Sequence, residues 1–229
     1  MRLLIVTETS RVALRLASKI SLVEEPEPNL KTYGFGSIQI DLLVTGVGSP
    51  FMIYQLTRVL KSREYDMVFN IGLSESFDHF LEQGFVVNVV QDQFADLGIE
   101  HNNNFFTLGE EELMNDNTFP FTEGKMLSLG NFELAEVESL IPVKGITVNA
   151  LRSDTKWVEM LKVKYEAEVQ SMSGAAFFYA CLMEKVPFLQ IRSISGFAEI
   201  RRVDSWNIPI AVNNLVDTTM EIIKELQVN

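Results

Sequence analysis

The sequence predicts an α/β fold, a single three-layer domain over residues 1–229 in which helices flank a central twisted mixed sheet. Three observations carry that expectation. Short apolar, β-branched runs alternate with stretches of helical periodicity along most of the chain. Several of these runs end on glycine or small polar residues, the punctuation of strand-to-helix turns. And 229 residues with 47% hydrophobic content suffice for one large core.

In chain order, Arg2–Thr7 is a strand that gives way to a helical pattern carried by Val12, Leu14, Leu16 and Ile20. Glu24-Glu-Pro-Glu-Pro28 is charged and broken by proline, and predicts no element. Ile38–Val44 is a strand ending in Thr45-Gly-Val-Gly48, after which Pro50 suits the first turn of a helix reaching about Lys61. Asp66–Ile71 predicts a strand closed by a glycine turn at Gly72, and Phe85–Val90 another strand. Residues 100–124 lose periodicity and predict a long loop excursion, a feature more often functional than idle in a compact domain. Its aromatics Phe105, Phe106, Phe119 and Phe121 are awkward to leave in water and predict a homodimer or higher homo-oligomer built on part of this segment. The rhythm then resumes with a strand at Gly145–Asn149, a helix at Asp154–Val163 with Trp157 and Leu161 on one face, and a short strand at Glu166–Met172. A helix opens on Gly174, Ala175 and Ala176, whose small side chains let its first turn approach a ligand or another backbone with outward-pointing N–H groups. Pro187–Ile194 reads as a central strand, apolar on both faces apart from Gln190 and Arg192, and ended by Ser195-Gly196. Asn207–Leu226 closes the chain as an amphipathic helix.

Charge and composition exclude several functions. With 31 acidic against 19 basic residues, a net charge of −12 opposes binding to nucleic acid or an anionic membrane. The lone Cys181 forms no internal disulfide, no N-terminal stretch has a signal-peptide layout, and the longest apolar run, Ala175–Leu182, falls far short of the roughly 20 residues of a membrane span. A cytoplasmic protein is expected. Gly34-Phe-Gly36 lacks the third glycine of a dinucleotide fingerprint, and no Gly-Lys-Ser/Thr occurs. His79 and His101 have no partner at metal-ligand spacing, so neither cofactor nor metal is expected.

In sheets of this kind function gathers at the carboxyl ends of the strands. Those ends are Thr7-Glu8-Thr9, Thr45-Gly-Val-Gly48, Asn70-Ile-Gly-Leu-Ser-Glu75, Thr147-Val-Asn149, Met172-Ser-Gly174 and Ser195-Gly196. Together with Phe94-Ala-Asp-Leu-Gly98, Lys144-Gly-Ile-Thr-Val-Asn149, Val169-Gln-Ser-Met-Ser-Gly-Ala-Ala-Phe177, Phe188-Leu-Gln-Ile-Arg-Ser-Ile-Ser195 and Ser205-Trp-Asn-Ile-Pro209, they give the chain a resemblance over nearly its whole length. It resembles the nucleoside phosphorylase and nucleosidase superfamily, and within it the futalosine hydrolase branch of the alternative menaquinone pathway.

That resemblance implies a nucleoside phosphorylase-like fold and cleavage of an N-ribosidic bond. The chemistry needs an acid for the base, a carboxylate to activate water and a carboxylate to grip the ribose hydroxyls. Carried onto this chain, the ribose-gripping Glu falls on Ser173, the Glu before it on Gln170, the late-loop acid or amide on Gly196, and the water-activating Glu on Val12, one helical turn from Glu8. The resemblance also places Gly46, Gly72, Phe94, Asp96, Val148, Asn149, Met172 and Ser195 around the ligand. Glu8, Glu75 and Glu199 are the acids near strand ends that could stand in as catalytic groups. Two readings follow: a hydrolase of futalosine or a related purine nucleoside with rearranged acids, or a paralogue that binds a nucleoside-like ligand without cleaving it.

Overall fold

Ten strands share one sheet in the computed structural model, which describes residues 1–102, 104–128, 130, 132–152, 154–199 and 206–228. In chain order the elements are β1 (Arg2–Thr7), α1 (Ser10–Ala17), β2 (Ser21–Glu27), β3 (Leu30–Phe35), β4 (Ile38–Val44), α2 (Ser49–Ser62), β5 (Met67–Ser76), β6 (Val86–Asp92), β7 (Gly98–His101), β8 (Asn104–Thr107) and β9 (Met126–Leu127). There follow α3 (Ala135–Glu138), β10 (Ile141–Thr147), α4 (Thr155–Tyr165), β11 (Val169–Ser171), α5 (Gly174–Glu184), β12 (Phe188–Phe197) and α6 (Ile208–Val228). The sheet order is β11-β10-β6-β12-β5-β1-β4-β3-β2, with β9 beside β6.

The middle strands β4, β1, β5 and β12 are parallel, and their period-2 alternation sorts side chains to two faces. Leu4, Val6, Leu43 and Val68 pack with α2 and α5 through Leu56, Val59, Phe177 and Phe178. Leu3, Ile5, Ile40 and Ile71 pack with α1 and α6 through Val12, Leu16, Leu215 and Ile222. These are the three layers.

One half of the sheet curls on itself. β11 pairs in parallel with β10, and in antiparallel fashion with the far end of β5, where Gln170 lies opposite Glu75 and Val169 opposite Ser76. Strands β5, β12, β6, β10 and β11 therefore close into a ring, and a third apolar cluster with Phe77, Ile146, Val148, Val158 and Leu161 sits against it under α4. Among the described residues no helix is long and apolar enough to cross a membrane.

Four expectations are corrected. Gly72 does not turn the chain: β5 runs through it to Ser76. Ser195-Gly196 does not end β12, which continues to Phe197 after a register shift between Ile194 and Gly196. The proline-broken stretch is strand β2, whose exposed position at the sheet edge tolerates Pro26, and it forms a hairpin with β3. The excursion at 100–124 begins as the β7–β8 hairpin before its irregular part.

Candidate active site at the carboxyl ends of the strands

A cavity of about 420 Å³ opens where β1, β5, β11 and β12 end, lined by Glu8, Val12, Glu75, Met172, Ser173, Ser195 and Trp206 among others. Glu8 directly follows β1. Its Oε1 accepts from Arg192 Nη1 at 2.8 Å and from the hydroxyl of Ser173, at the start of α5. Arg192, on β12, is fully buried, and its Nη2 donates to the Asn70 side-chain oxygen. Asn70 in turn donates to the Val6 carbonyl at 3.1 Å, tying β5 to β1. A guanidinium in so dry a place needs a paired carboxylate and further acceptors, and Glu8 and Asn70 supply them.

Gly72 makes this arrangement possible. A Cβ at that position would lie 1.8 Å from Arg192 Nη1 and 2.5 Å from Glu8 Oε2. The position needs space for an ion pair, so glycine serves here by close approach within a strand.

Three residues along β5, Glu75 faces Gln170 across the β5–β11 pairing, and Gln170 Nε2 donates to Glu75 Oε2 at 2.7 Å. Both side chains are buried and both border the cavity. At about 3.3 Å per residue, Gly72 and Glu75 are about 10 Å apart along the strand. Glu8 and Glu75 both line this cavity.

Behind the cavity lies an acid that sequence reading missed. Asp92, at the end of β6, is fully buried and accepts from Gln190 Nε2 and Thr147 Oγ1 at 2.9 Å each, and from the Gln93 N–H. Burial pushes its carboxyl up to about 6, against the lowering effect of those donors and of the Arg192 charge. Thr147 Oγ1 also accepts from the Ala175 N–H at 2.7 Å, and Ser171 Oγ from the Gly174 N–H at 3.1 Å. The first N–H groups of α5 are thus taken up inside the protein, which corrects the expectation that they point out toward a ligand. Gly174 is small because a Cβ there would lie 2.1 Å from Asp92 Oδ2.

Of the expected site residues, Glu8, Glu75, Val12, Met172, Ser173 and Ser195 border the cavity. Gly196 lies beneath Trp206, where a Cβ would come within 2.5 Å of the indole ring, and Gly46 faces Phe51 beside the cavity-lining Val47. Glu199 is not brought in: it is exposed, 3.4 Å from His79 Nε2, beside a separate small cavity. Phe94 borders a different cavity with Leu108 and Tyr165, and Val148 is buried in the third apolar cluster. Asp96 accepts from the Asn149 backbone at 2.6 Å and its side-chain amide at 3.0 Å, an arrangement that pins one loop to another. Ser205 lies outside the described residues. Sequence reading passed over Arg192 as a site residue, although the one charged side chain in a mostly apolar central strand was the available signal. It also missed Leu73, Leu151 and Ile208, apolar wall residues whose sequence carries no mark of a site. Among the described residues no group of three or more His, Cys, Asp or Glu side chains could hold a metal ion.

No family model matches the chain. A 5′-methylthioadenosine/S-adenosylhomocysteine nucleosidase of Bacillus velezensis is 25% identical over 173 residues, which cover 73% of this chain and 72% of the relative. Among solved structures, futalosine hydrolase of Helicobacter pylori superposes with a TM-score of 0.83 at 13% identity, covering 98% of both chains. A mutant Helicobacter pylori MTAN with 5′-methylthioadenosine in its active site gives 0.82 at 13% identity, also over 98% of both chains. The nucleosidase of S. pneumoniae with a transition-state inhibitor gives 0.82 at 16% identity, over 99% of this chain and all of the other. At such identities the shared property is architecture: this chain has the fold of the nucleoside phosphorylase/nucleosidase superfamily.

Proposed function

We propose that this chain is an N-ribosyl hydrolase acting on a purine-type nucleoside, with futalosine as the first substrate to try. The observation that carries the proposal is the Glu8–Arg192–Ser173 cluster on a mostly apolar cavity at the strand ends. Hydrolysis through an oxocarbenium-like sugar needs a carboxylate held in one orientation, close to where water attacks and positive charge develops. Glu8 is such a group. The resemblance leads one to expect an acid at position 173, and there the Ser173 hydroxyl donates to the Glu8 carboxylate instead. An acid from the end of β1 thus stands beside the place that an acid on α5 would fill. Met172, Val12, Val47, Leu151, Trp206 and Ile208 supply apolar walls suited to the sugar face and the base.

Phosphorolysis is disfavoured by the same geometry. The buried Arg192 guanidinium is engaged by Glu8 and Asn70, and among the described residues Arg11 is the basic side chain that lines the cavity, whereas phosphate sites usually combine several donors. One observation favours the second reading, in which the chain binds a nucleoside without cleaving it: Val12 and Gly196, where the resemblance expects polar catalytic groups, carry none.

The test is release of the free base with its sugar (ribose from inosine, the 5′-substituted ribose from futalosine and methylthioadenosine), each nucleoside tried with and without phosphate. Phosphate-independent release from at least one is expected, and Glu8→Gln should lower it by about 10²–10⁴-fold. Undiminished turnover in Glu8→Gln would remove Glu8 from the mechanism, and nucleoside binding without any release would establish the second reading.

A further inference from the structure

The two carboxylate oxygens of Glu8 have different surroundings. Three donors converge on Oε1: Arg192 Nη1 at 2.8 Å, the Ser173 hydroxyl, and Asn70 Nδ2 at 3.4 Å. Among the described residues no donor reaches Oε2. That oxygen is not sealed in the protein either, since Glu8 lines the cavity with 11% of its side chain exposed and contributes no buried, unpartnered atom. The missing Cβ of Gly72 gives Oε2 its room. One oxygen is held and the other is free.

The holding is done by side chains behind the cavity. Arg192 is fully buried and its Nε has no partner, so the plane of the guanidinium is set by Nη1 on Glu8 and Nη2 on Asn70. A guanidinium only donates, which fixes the Asn70 amide with Oδ1 toward Arg192. The amide nitrogen then faces the other way, with one hydrogen for the Val6 carbonyl at 3.1 Å and one for Glu8 Oε1. Asn70 therefore touches both members of the Glu8–Arg192 pair, and it is itself fully buried.

We infer that Asn70 is a positioning residue for hydrolysis: it holds Arg192 and Glu8 Oε1 together, so that Glu8 Oε2 is the oxygen that takes a proton from the attacking water. The inference rests on the nucleosidase reading, and it goes further in naming the working atom and the side chain that aims it. In this step the water oxygen bonds to the anomeric carbon while the bond from that carbon to the base nitrogen breaks, and its electron pair leaves with the base. Oε2 receives one water proton and returns it through solvent to the departing base, so water is the only co-reactant. A carboxylate oriented beforehand is spared reorganisation at the moment of reaction.

The alternative assigns Asn70 to stability alone, as a tie from β5 to β1 through the Val6 carbonyl. Altering a tie would change the melting temperature but not the pH at which turnover is lost. Of the charged groups around Glu8, Arg192 contacts it directly, and Arg11 and Glu75 are the other charged side chains lining the cavity among the described residues.

The experiment replaces Asn70 by aspartate, which keeps the shape and turns the amide nitrogen into a carboxylate oxygen. That oxygen cannot donate to Glu8, competes for Arg192 and sets a like charge beside Glu8, and each effect disfavours an ionised Glu8. For whichever nucleoside the unaltered chain cleaves, Asn70→Asp should lower kcat about 10–100-fold, leave KM within about threefold, and move the acid limb of the kcat–pH profile to higher pH. With no nucleoside present, the infrared carboxylate band of Glu8, identified by its loss in Glu8→Gln, should titrate at higher pH in Asn70→Asp than in the unaltered chain. Melting curves report whether the variant folds. If it does not, Asn70→Ser, neutral and smaller, carries the test with the same expected directions. An infrared midpoint that stays in place in a folded variant overturns the inference, as does a loss confined to KM. Nucleoside cleavage together with an unmoved midpoint leaves the hydrolase reading standing and this one lost. A moved midpoint in a chain that cleaves no nucleoside removes the hydrolase reading and keeps Asn70 as the residue that holds Glu8.

Discussion

Gly72 shows at single-residue scale what sequence reading can and cannot reach. A glycine at the end of an apolar run usually marks a turn, and that is the expectation it raised. Its true requirement is room for Arg192 and Glu8, which lie 120 and 64 positions away and meet only once β12 and β1 flank β5. By contrast Gly46 and Gly48 have φ of 91° and 113°, so the turn legible in Thr45-Gly-Val-Gly48 depends on glycine for backbone reasons. The two cases predict different behaviour. Gly72→Ala should destabilise the fold by about 1–3 kcal/mol through overpacking, and should also displace the Glu8–Arg192 pair. Chemical denaturation of the variant checks the first effect and nucleoside turnover the second. A variant of unchanged stability and activity would mean that the pair tolerates more crowding than its distances allow.

At the scale of elements, strands and helices with strong periodicity were readable, and those defined by long-range partners were not. β1, β4, α2 and α6 could be read because their own patterns fix them. β2 and β3 could not, since a stretch with three glutamates and a proline becomes a strand only by sitting at an exposed edge. The start of α5 was legible as a run of small residues, yet the reason for it, the buried Asp92, lies on β6. Asp92 ties β6 to β12 through Gln190 and to β10 through Thr147, which also receives the α5 N–H. Because burial raises this carboxyl from 3.8 to about 6, the folded protein holds its proton more tightly than the unfolded chain does. The contribution of the group to stability is therefore fullest below its unfolded value and declines as pH rises through about 4 to 6, by about 3 kcal/mol in all. Asp92→Asn removes that dependence, while its oxygen can still accept from Thr147 and Gln190 can turn its otherwise unpartnered oxygen to the new amide. Melting temperatures followed from pH 4 to 7 should show the wild type losing ground to Asp92→Asn as pH rises. Buried Asp41 shifts the opposite way: burial raises it, but hydrogen bonds from Tyr65, Thr32 and Arg63 prevail and lower it. Both proteins share it, so the difference between them isolates Asp92. Parallel curves would mean that Asp92 keeps one protonation state throughout.

For the whole molecule, self-association has a second exposed apolar surface to draw on besides the 100–124 segment that first suggested it. Phe105 packs edge-on against Trp157 at 5.6 Å and Phe121 lies tilted against Tyr179 at 6.0 Å, which covers these two aromatics of the 100–124 segment within their own chain, while Phe119 is 59% exposed. The exposed apolar surface beside the cavity lies on the turn before α2 and on that helix. Val47, Phe51 and Tyr54 are 47%, 59% and 66% exposed, with Phe51 and Tyr54 three residues apart on one helical face. Val47 also lines the cavity, so a partner seated on this patch would stand at the cavity mouth and help exclude water from the site. Each chain carries a net charge of −12, which opposes association at long range and is screened by salt over about 8–10 Å, so the apolar contact must overcome it. A homodimer through this face is the expected state at micromolar concentration, tighter at higher salt. Sedimentation should give twice the monomer mass for the wild type and the monomer mass for Phe51→Glu/Tyr54→Glu. If the cavity mouth is completed by the partner, the same double substitution should raise KM for the nucleoside more than it lowers kcat, since it leaves Glu8 and Arg192 untouched. A wild-type monomer, or a double variant that stays dimeric, would place the interface elsewhere or remove it.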